Sequence, residues 1–460
     1  MKLKTFFTLA VAVLVTACAT TSPIPQPAVS AAPAWNEAPT ADAAAVNADW
    51  WHTFGSSELQ GLVDQALAGS PDLAIAIERV RQAETQVRVA GASLFPQIDV
   101  AATSSARASR DRGVTAKTEN SAASLSASYE LDLWGRNAAG VRGAEAALRA
   151  TAFDRDTARL TLISGVANAY FQILSLRGRL ANAREDLSIA ERVLATVSAR
   201  ARNGAVSQLD VARQEAAVLS QRAALLPLEQ LERQTLAALA VLVGRVPEGF
   251  DVQARGLTDL AVPSISPGLP AELLVRRPDL ASAEAQLTSS NADLTAARAA
   301  LLPSIQLTGS AGVASGALLG FLSGGTTTVA LAASVLQPIF DGGRLKGQVS
   351  IAESRERELV ETYRKAILSA FADVESALAA ATRLQQRELL QTQVEERARE
   401  ALRLAEVRYR EGADDLLSVL DAQRTLFDAQ DQLAQVRLDR LNGAVALFKA
   451  LGGGWQPNAA

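Results

Sequence analysis

Ser124-Leu125-Ser126-Ala127-Ser128-Tyr129-Glu130-Leu131-Asp132-Leu133 is the stretch on which the fold turns. Every second residue is apolar and every intervening one is polar, a period of two that makes a strand with unlike faces. The alternation recurs at 304–313, where Ile305, Leu307, Ala311 and Val313 face Ser304, Gln306, Thr308 and Ser310. It recurs again where Val329, Leu331, Ala333 and Val335 oppose Ala330, Ala332 and Ser334, and less cleanly through Ile98, Val100 and Ala102. Segments 108–120 and 314–325, charged or rich in Gly and Ser, separate the partners and read as hairpin loops.

The four stretches fall into two pairs because the chain is duplicated. Pro71-Asp72-Leu73 returns as Pro278-Asp279-Leu280, and Phe95-Pro96-Gln97-Ile98 as Leu302-Pro303-Ser304-Ile305, both 207 residues later. Gly135-Arg136 returns as Gly343-Arg344, Gly204 as Gly412 and Val243-Gly244 as Leu451-Gly452, each 208 residues later. Such a period is far longer than that of solenoid arrays and marks the duplication of a large unit.

After each strand pair the period changes to steps of three and four. The apolar line is Leu187, Ala190, Leu194, Val197 in the first copy and Val360, Tyr363, Ile367, Phe371, Val374, Leu378 in the second. Residues 136–201 and 344–409 read as helices of ~100 Å at 1.5 Å per residue. Each folds back at Gly204 or Gly412 as an antiparallel, coiled-coil-like hairpin. Pro227, inside the first return helix, predicts a kink or break there.

The expected layout is 1–17 signal peptide, 18–48 tether, 49–255 first repeat, 256–277 linker, 278–454 second repeat and 455–460 tail. Strands are expected at about 96–108, 121–134, 303–313 and 326–340. At the start, Lys2 and Lys4 precede the apolar run Phe6 to Val15, which is too short to span a bilayer as a helix. It ends Val15-Thr16-Ala17-Cys18, the pattern of a bacterial lipobox, in which Cys18 is acylated and becomes the mature N-terminus. Ala19 is not the Asp associated with inner-membrane retention, which favours the outer membrane. Five prolines within 19–48 make an extended tether.

Composition excludes much else. One Cys and one His in 460 residues cannot build a disulfide framework or a multi-His metal centre. A net charge of −4 argues against a nucleic-acid binder. No Ser/His/Asp constellation, P-loop or metal cluster is present in the sequence, so neither an enzyme nor a cofactor is expected. Gly452-Gly453-Gly454 lacks a strand–helix phosphate context and reads as a helix stop. His52, beside Trp50, Trp51 and Phe54, reads as packing, and Arg276-Arg277 as a pin at the junction between copies.

Two-faced strands suit a soluble sheet with one buried face or a membrane barrel between lipid and water. Four strands cannot close alone, and open edges are not tolerated in hydrocarbon. A barrel with a water-filled lumen needs about twelve strands, hence at least three chains.

The chain resembles the TolC-like outer membrane factor family, in its efflux lipoprotein (NodT/OprM-like) branch. The resemblance runs from about Cys18 to Trp455 and rests on Trp50-Trp51-His52-Thr53-Phe54, Gly268-Leu269-Pro270, Arg276-Arg277-Pro278-Asp279, Tyr409-Arg410-Glu411-Gly412 and Leu420-Asp421-Ala422-Gln423-Arg424. It implies an α+β membrane protein: a trimeric, twelve-stranded outer membrane β-barrel, four strands per chain, continuing into a helical coiled-coil periplasmic tunnel. It also implies a passive exit duct for small molecules, a periplasmic membrane-fusion adaptor and an inner-membrane pump of the proton-driven RND type. A lipid-anchored periplasmic scaffold and a type I secretion duct are the alternatives.

On the matched positions, Leu417 would form an apolar ring at the periplasmic tip and Asp421 a carboxylate ring one turn deeper. Converging carboxylates repel, which favours bound cations, and an apolar constriction blocks flow by dewetting. Leu417 equally suits an ordinary hairpin core, and Asp421 a solvated first-turn carboxylate. Asp210 and Tyr409, joined by Arg408, match positions that hold the closed state, although Ser207-Gln208-Leu209-Asp210 also reads as a capping box. Asp414 and Asp415 stand where relatives carry Arg and instead suit helix caps. Gly204 and Gly412 supply turn geometry, with the adaptor expected to touch nearby.

Overall fold

A computed structural model describes residues 24–25, 27–30, 32–37, 46–317 and 319–456. Cys18 and the expected leader lie outside them. The chain forms two compact units, one from residues 79–152 and 282–364 with the described residues up to Ala28, the other from 29–78, 153–281 and 365 onward. Each unit draws on both copies of the repeat.

The first unit holds the sheet. Strands β1 (Gln97–Asp111), β2 (Val114–Leu131), β3 (Ser304–Ser315) and β4 (Thr326–Leu336) pair antiparallel in the order β1-β2-β3-β4. Registers align the alternating rows, so that Val100, Leu125, Ala311 and Val329 share one face and Asp99, Ser126, Ser310 and Ala330 the other. The apolar row is uncovered in the single chain, with Val100 79% and Leu331 87% exposed. The outer edges of β1 and β4 have no strand partner among the described residues.

The expected loop at 108–120 is not a loop. β1 and β2 run on to Asp111↔Val114 and join through Arg112-Gly113, both at positive φ (45° and 86°). That is the two-residue geometry whose twist matches a hairpin, with glycine taking the second position. β4 stops at Leu336, short of 340, two residues before Pro338, which has no N–H for a ladder.

Helices α1 (Ser57–Gly69) and α2 (Pro71–Ala92) precede the first hairpin, and α3 (Arg136–Arg202) and α4 (Gln208–Leu242) follow it. In the second copy, α5 (Pro278–Ala299) precedes its hairpin and α6 (Arg344–Arg410) and α7 (Leu416–Ala450) follow. An aspartate starts each long helix: Asp132 accepts from the N–H of Asn137 (3.1 Å) and Ala138 (2.7 Å), and Asp341 from Gly343 (3.0 Å) and Leu345 (2.9 Å). α4 runs unbroken through Pro227. Pro227 and Ala223, whose carbonyl lacks its usual partner, both lie at the exposed surface, where water can replace the lost bond.

The second unit is closed by an aromatic cluster. Trp50, in a short 3₁₀ turn, stacks on Phe448 at 4.9 Å, and Phe54 lies 5.0 Å from Phe171. His52 is exposed, its ring edge-on to Trp51 at 5.6 Å. Arg277, the last residue of the linker, is tied to the second copy alone, donating to Asp279 (2.7 Å), Asp373 (3.1 Å) and the Ala450 carbonyl (3.2 Å). Its contacts anchor the linker to that copy rather than pinning the two copies to each other. The residues after α4 press on the end of α1, Gly244 against Gly69, and the duplicate of this contact sets Gly452 against Arg276.

Candidate functional site: the hairpin tips

The two helical hairpins end in the same turn. Gly204 and Gly412 have φ of 69° and 75°. Ala205 donates to the Arg200 carbonyl and Ala413 to that of Arg408, both at 2.9 Å, while Gly204 donates to Ala201 (3.0 Å) and Gly412 to Tyr409 (3.1 Å). These paired bonds close the last turn of α3 and α6 on a left-handed residue, a position that glycine takes without strain. The return helices are capped at positions 208 apart. Ser207 and Asp210 form a reciprocal capping box, and Asp415 accepts from Ser418 N at 3.1 Å.

Asp210 therefore already has partners. Its carboxylate accepts from Ser207 N (3.0 Å) and Oγ (2.8 Å), which holds its pKa below the ordinary carboxylate range. Asp414 accepts from Ser418 Oγ (2.9 Å) and Asp415 N (3.0 Å) and pairs with Arg408 at 3.3 Å, so it too titrates low. Tyr409 is 5% exposed, with Arg200 over its ring at 4.7 Å and donating to its carbonyl at 2.6 Å. Burial raises its pKa, and its hydroxyl has no hydrogen-bond partner among the described residues.

Between the tips and the middle of the unit, the hairpins are welded by Ile189, Val193 and Val197 of α3, Leu402 of α6, and Val419 and Leu426 of α7. The buried line of α3 is thus rotated slightly from the Leu187–Leu194 line read in the sequence. Leu416 points into this core, whereas Leu417 is 60% exposed and Asp421 is exposed one turn on. Leu417 and Asp421 line a common cleft of about 330 Å³ with Ser220, Gln221, Arg424 and Phe427. The nearest recorded cation to Asp421 is Arg424, at 3.9 Å. The structure thus unites Leu417 with Asp421 on one exposed face and puts Asp210, Arg408 and Tyr409 into the turns behind.

One polar cluster escaped the sequence reading. Asp186 of α3 is 5% exposed. With the Gln430 amide turned to satisfy both ends, its nitrogen donates to Asp186 at 3.0 Å and its oxygen accepts from Arg399 at 3.1 Å. Burial, then Glu185 and, more weakly, Asp431 on α7, push the Asp186 pKa up to about 7, against the pull of Arg399 on α6. Arg399 is itself held by Glu395 (2.7 Å) and Asp431 by Arg179 (2.6 Å). The signal was present: an Asp three and four residues before Ile189 and Ala190 lies on the apolar stripe.

This geometry gives a pH prediction. The folded carboxyl titrates near 7 and the unfolded one near 4, so between these values the folded state binds more protons. Stability therefore falls as pH rises through that window. The melting temperature of wild type should drop more between pH 5 and 8 than that of Asp186→Asn. Identical slopes would contradict the shift.

Comparison with known proteins places the fold. The family model described as outer membrane efflux protein matches residues 62–245 and 269–453, one match per copy. The pyoverdine export outer membrane protein OpmQ of Pseudomonas aeruginosa is 43% identical, over 99% of this chain and 98% of that protein. Outer membrane protein OprJ of the same species is 33% identical over 97% and 95%. The open state of the MtrE outer membrane channel of Neisseria gonorrhoeae superposes with a TM-score of 0.84 at 31% identity, covering 95% of this chain and 99% of that one. With four two-faced strands, duplicated hairpins and full-length similarity in agreement, the chain belongs to the outer membrane efflux protein family.

Proposed function

We infer that this protein is the outer membrane channel of a tripartite efflux pump, a duct without an energy source of its own. The carrying observation is the sheet: one apolar face, one polar face and two open edges. Three chains joined β4 to β1 satisfy the edges, set the apolar rows against lipid and line a lumen with Ser, Thr and Gln. The helical hairpins extend into the periplasm, where we place an adaptor and, beyond it, a proton-driven inner-membrane pump. Acylation at Cys18 would tether the mature chain to the membrane. OpmQ is a pyoverdine exporter, so pyoverdine is the first cargo to assay.

Leu417 and Asp421 are the proposed gate. Their exposed, adjacent positions on α7 support the assignment, because three symmetry-related copies can converge only through uncovered side chains. Asp210, Arg408 and Tyr409 would hold the closed state, with the buried Tyr409 hydroxyl as the group in need of a partner. Adaptor docking near Gly204 and Gly412 would splay the hairpins and dilate the rings.

Conductance in planar bilayers tests the gate. Leu417→Ala combined with Asp421→Ala should raise the resting current more than about tenfold. At ~0.8 kcal/mol per buried carbon, even two lost carbons exceed the ~1.4 kcal/mol that makes a factor of ten. Cation preference should fall together with the carboxylates. A channel that stays sealed places the gate elsewhere.

A further inference from the structure

The duplication holds at the hairpin tips residue by residue. The glycine turns, their paired backbone bonds and the caps at Ser207 and Asp415 all recur 208 positions apart. Helices that start from equivalent caps keep the same phase, since each residue advances both by the same angle. Leu209 on α4 therefore corresponds to Leu417 on α7, and Arg213 to Asp421. Exposure agrees with the offset. Leu209 is 57% exposed and Leu417 60%, Arg213 and Asp421 are both exposed, and Val218 and Leu426 further on are both buried.

The cleft beside Leu417 and Asp421 shows what stands across from them. Its far side is Ala217, Ser220 and Gln221 of α4. Arg213 lies one turn before Ala217, on the same face of α4 and nearer the tip. Both return helices leave their turns in the same direction, so the repeat sets Arg213 level with Asp421.

The charges are complementary. Along the cleft α7 presents Asp421, Arg424 and Asp428, two carboxylates against one guanidinium. Arg213 supplies the missing positive charge from α4. It makes no ion pair among the described residues. Asp210, one turn back on its own helix, is held by Ser207, and Arg213 is the smallest of the influences on it.

We propose that Arg213 is the counter-charge of Asp421 at the periplasmic constriction and sets the ion selectivity of the entrance. The inference rests on the gate reading above. A three-chain ring then closes on three guanidiniums alternating with three carboxylates. Carboxylates alone repel as they converge, whereas guanidiniums between them remove the need for a bound cation. Without Arg213 the narrow cleft keeps an excess of one sign, which concentrates cations and turns anions away.

Reversal potentials of the full-length trimer in planar bilayers, under a potassium chloride gradient, test this. The parent is the Leu417→Ala channel, whose opened apolar ring passes a measurable current with both charges intact. Adding Arg213→Ala should raise its cation-to-anion permeability ratio about tenfold, the low end of the enrichment in a cleft lined by one sign of charge. Adding Asp421→Ala should shift the ratio towards anions. The exchange of Arg213→Asp with Asp421→Arg should return it to the parent value, a rescue that a merely structural role would not give. Arg222→Ala removes the same charge from α4 where it faces Glu191 at 2.7 Å, and should leave the ratio unchanged. A ratio that responds to Asp421 but not to Arg213, that moves as far in Arg222→Ala, or that the exchange fails to restore overturns the counter-charge. If neither the current responds to Leu417→Ala nor the ratio to Asp421→Ala, the gate reading beneath it fails instead.

Discussion

Gly452→Ala is expected to abolish the closed second unit, at a cost of roughly 4 kcal/mol or more, in the range that marks a specific structural collision. A Cβ at Gly452 would lie 1.9 Å from the Arg276 carbonyl oxygen and 2.8 Å from its carbon, and the residue sits at φ 83°. The left-handed backbone alone costs an alanine about 1–2 kcal/mol. The collision adds the larger share, because both parties are backbone and no rotamer can relieve it. Arg276 cannot retreat either, since Arg277 beside it is tied to Asp279, Asp373 and the Ala450 carbonyl. Gly412→Ala is the control. Its φ is 75°, but nothing lies within 4 Å of the added carbon, so only about 1–2 kcal/mol should be lost. Thermal melts of the detergent-solubilised protein should separate the two variants widely, and near-equal melting temperatures would contradict the collision.

The second large effect is at Trp50. The side chain is 1% exposed, stacked on Phe448 at 4.9 Å and edge-on to Trp51 and Phe54 at 6.0 and 6.2 Å. Trp50→Ala should cost about 3–5 kcal/mol through lost transfer energy and the cavity left behind. The lower end is expected, because the Trp50 Nε1 is buried without a hydrogen-bond partner among the described residues and its removal relieves an unsatisfied donor. His52→Ala, two residues away and exposed, should stay within about 0.5 kcal/mol. Denaturant midpoints for the two variants measure the contrast.

The architecture was legible because its causes are local or repeated. Alternation over Ser124–Leu133 needs no tertiary information, and the 207–208 residue echo doubles each signal. Ser207-Gln208-Leu209-Asp210 named its own capping box, and the structure contains it. What escaped depends on geometry that composition does not encode. Arg112 enters a left-handed turn only because the strands on either side fix the register, so a charged run was read as a loop. Pro227 lies inside an unbroken helix because the carbonyl it orphans, on Ala223, lies at the exposed surface, where water can replace the lost bond. Asp186 is buried by α6 and α7 of the other copy, a partnership invisible in the local sequence of α3. Leu417 and Leu416 are adjacent in sequence, yet one is a core residue and the other faces outward. Only the phase of α7 against its neighbours distinguishes them.

The sheet order has one more implication. Its two borders belong to different halves of the duplication, β1 to the first and β4 to the second. Each seam between subunits is therefore a head-to-tail joint in which every subunit serves once as donor and once as acceptor. A polypeptide spoiled along either border can still engage a sound neighbour with the other, yet the ring that includes it cannot shut. Genetic lesions in this region should therefore behave dominantly, poisoning complexes built mostly from intact copies, whereas lesions that prevent folding altogether should be recessive.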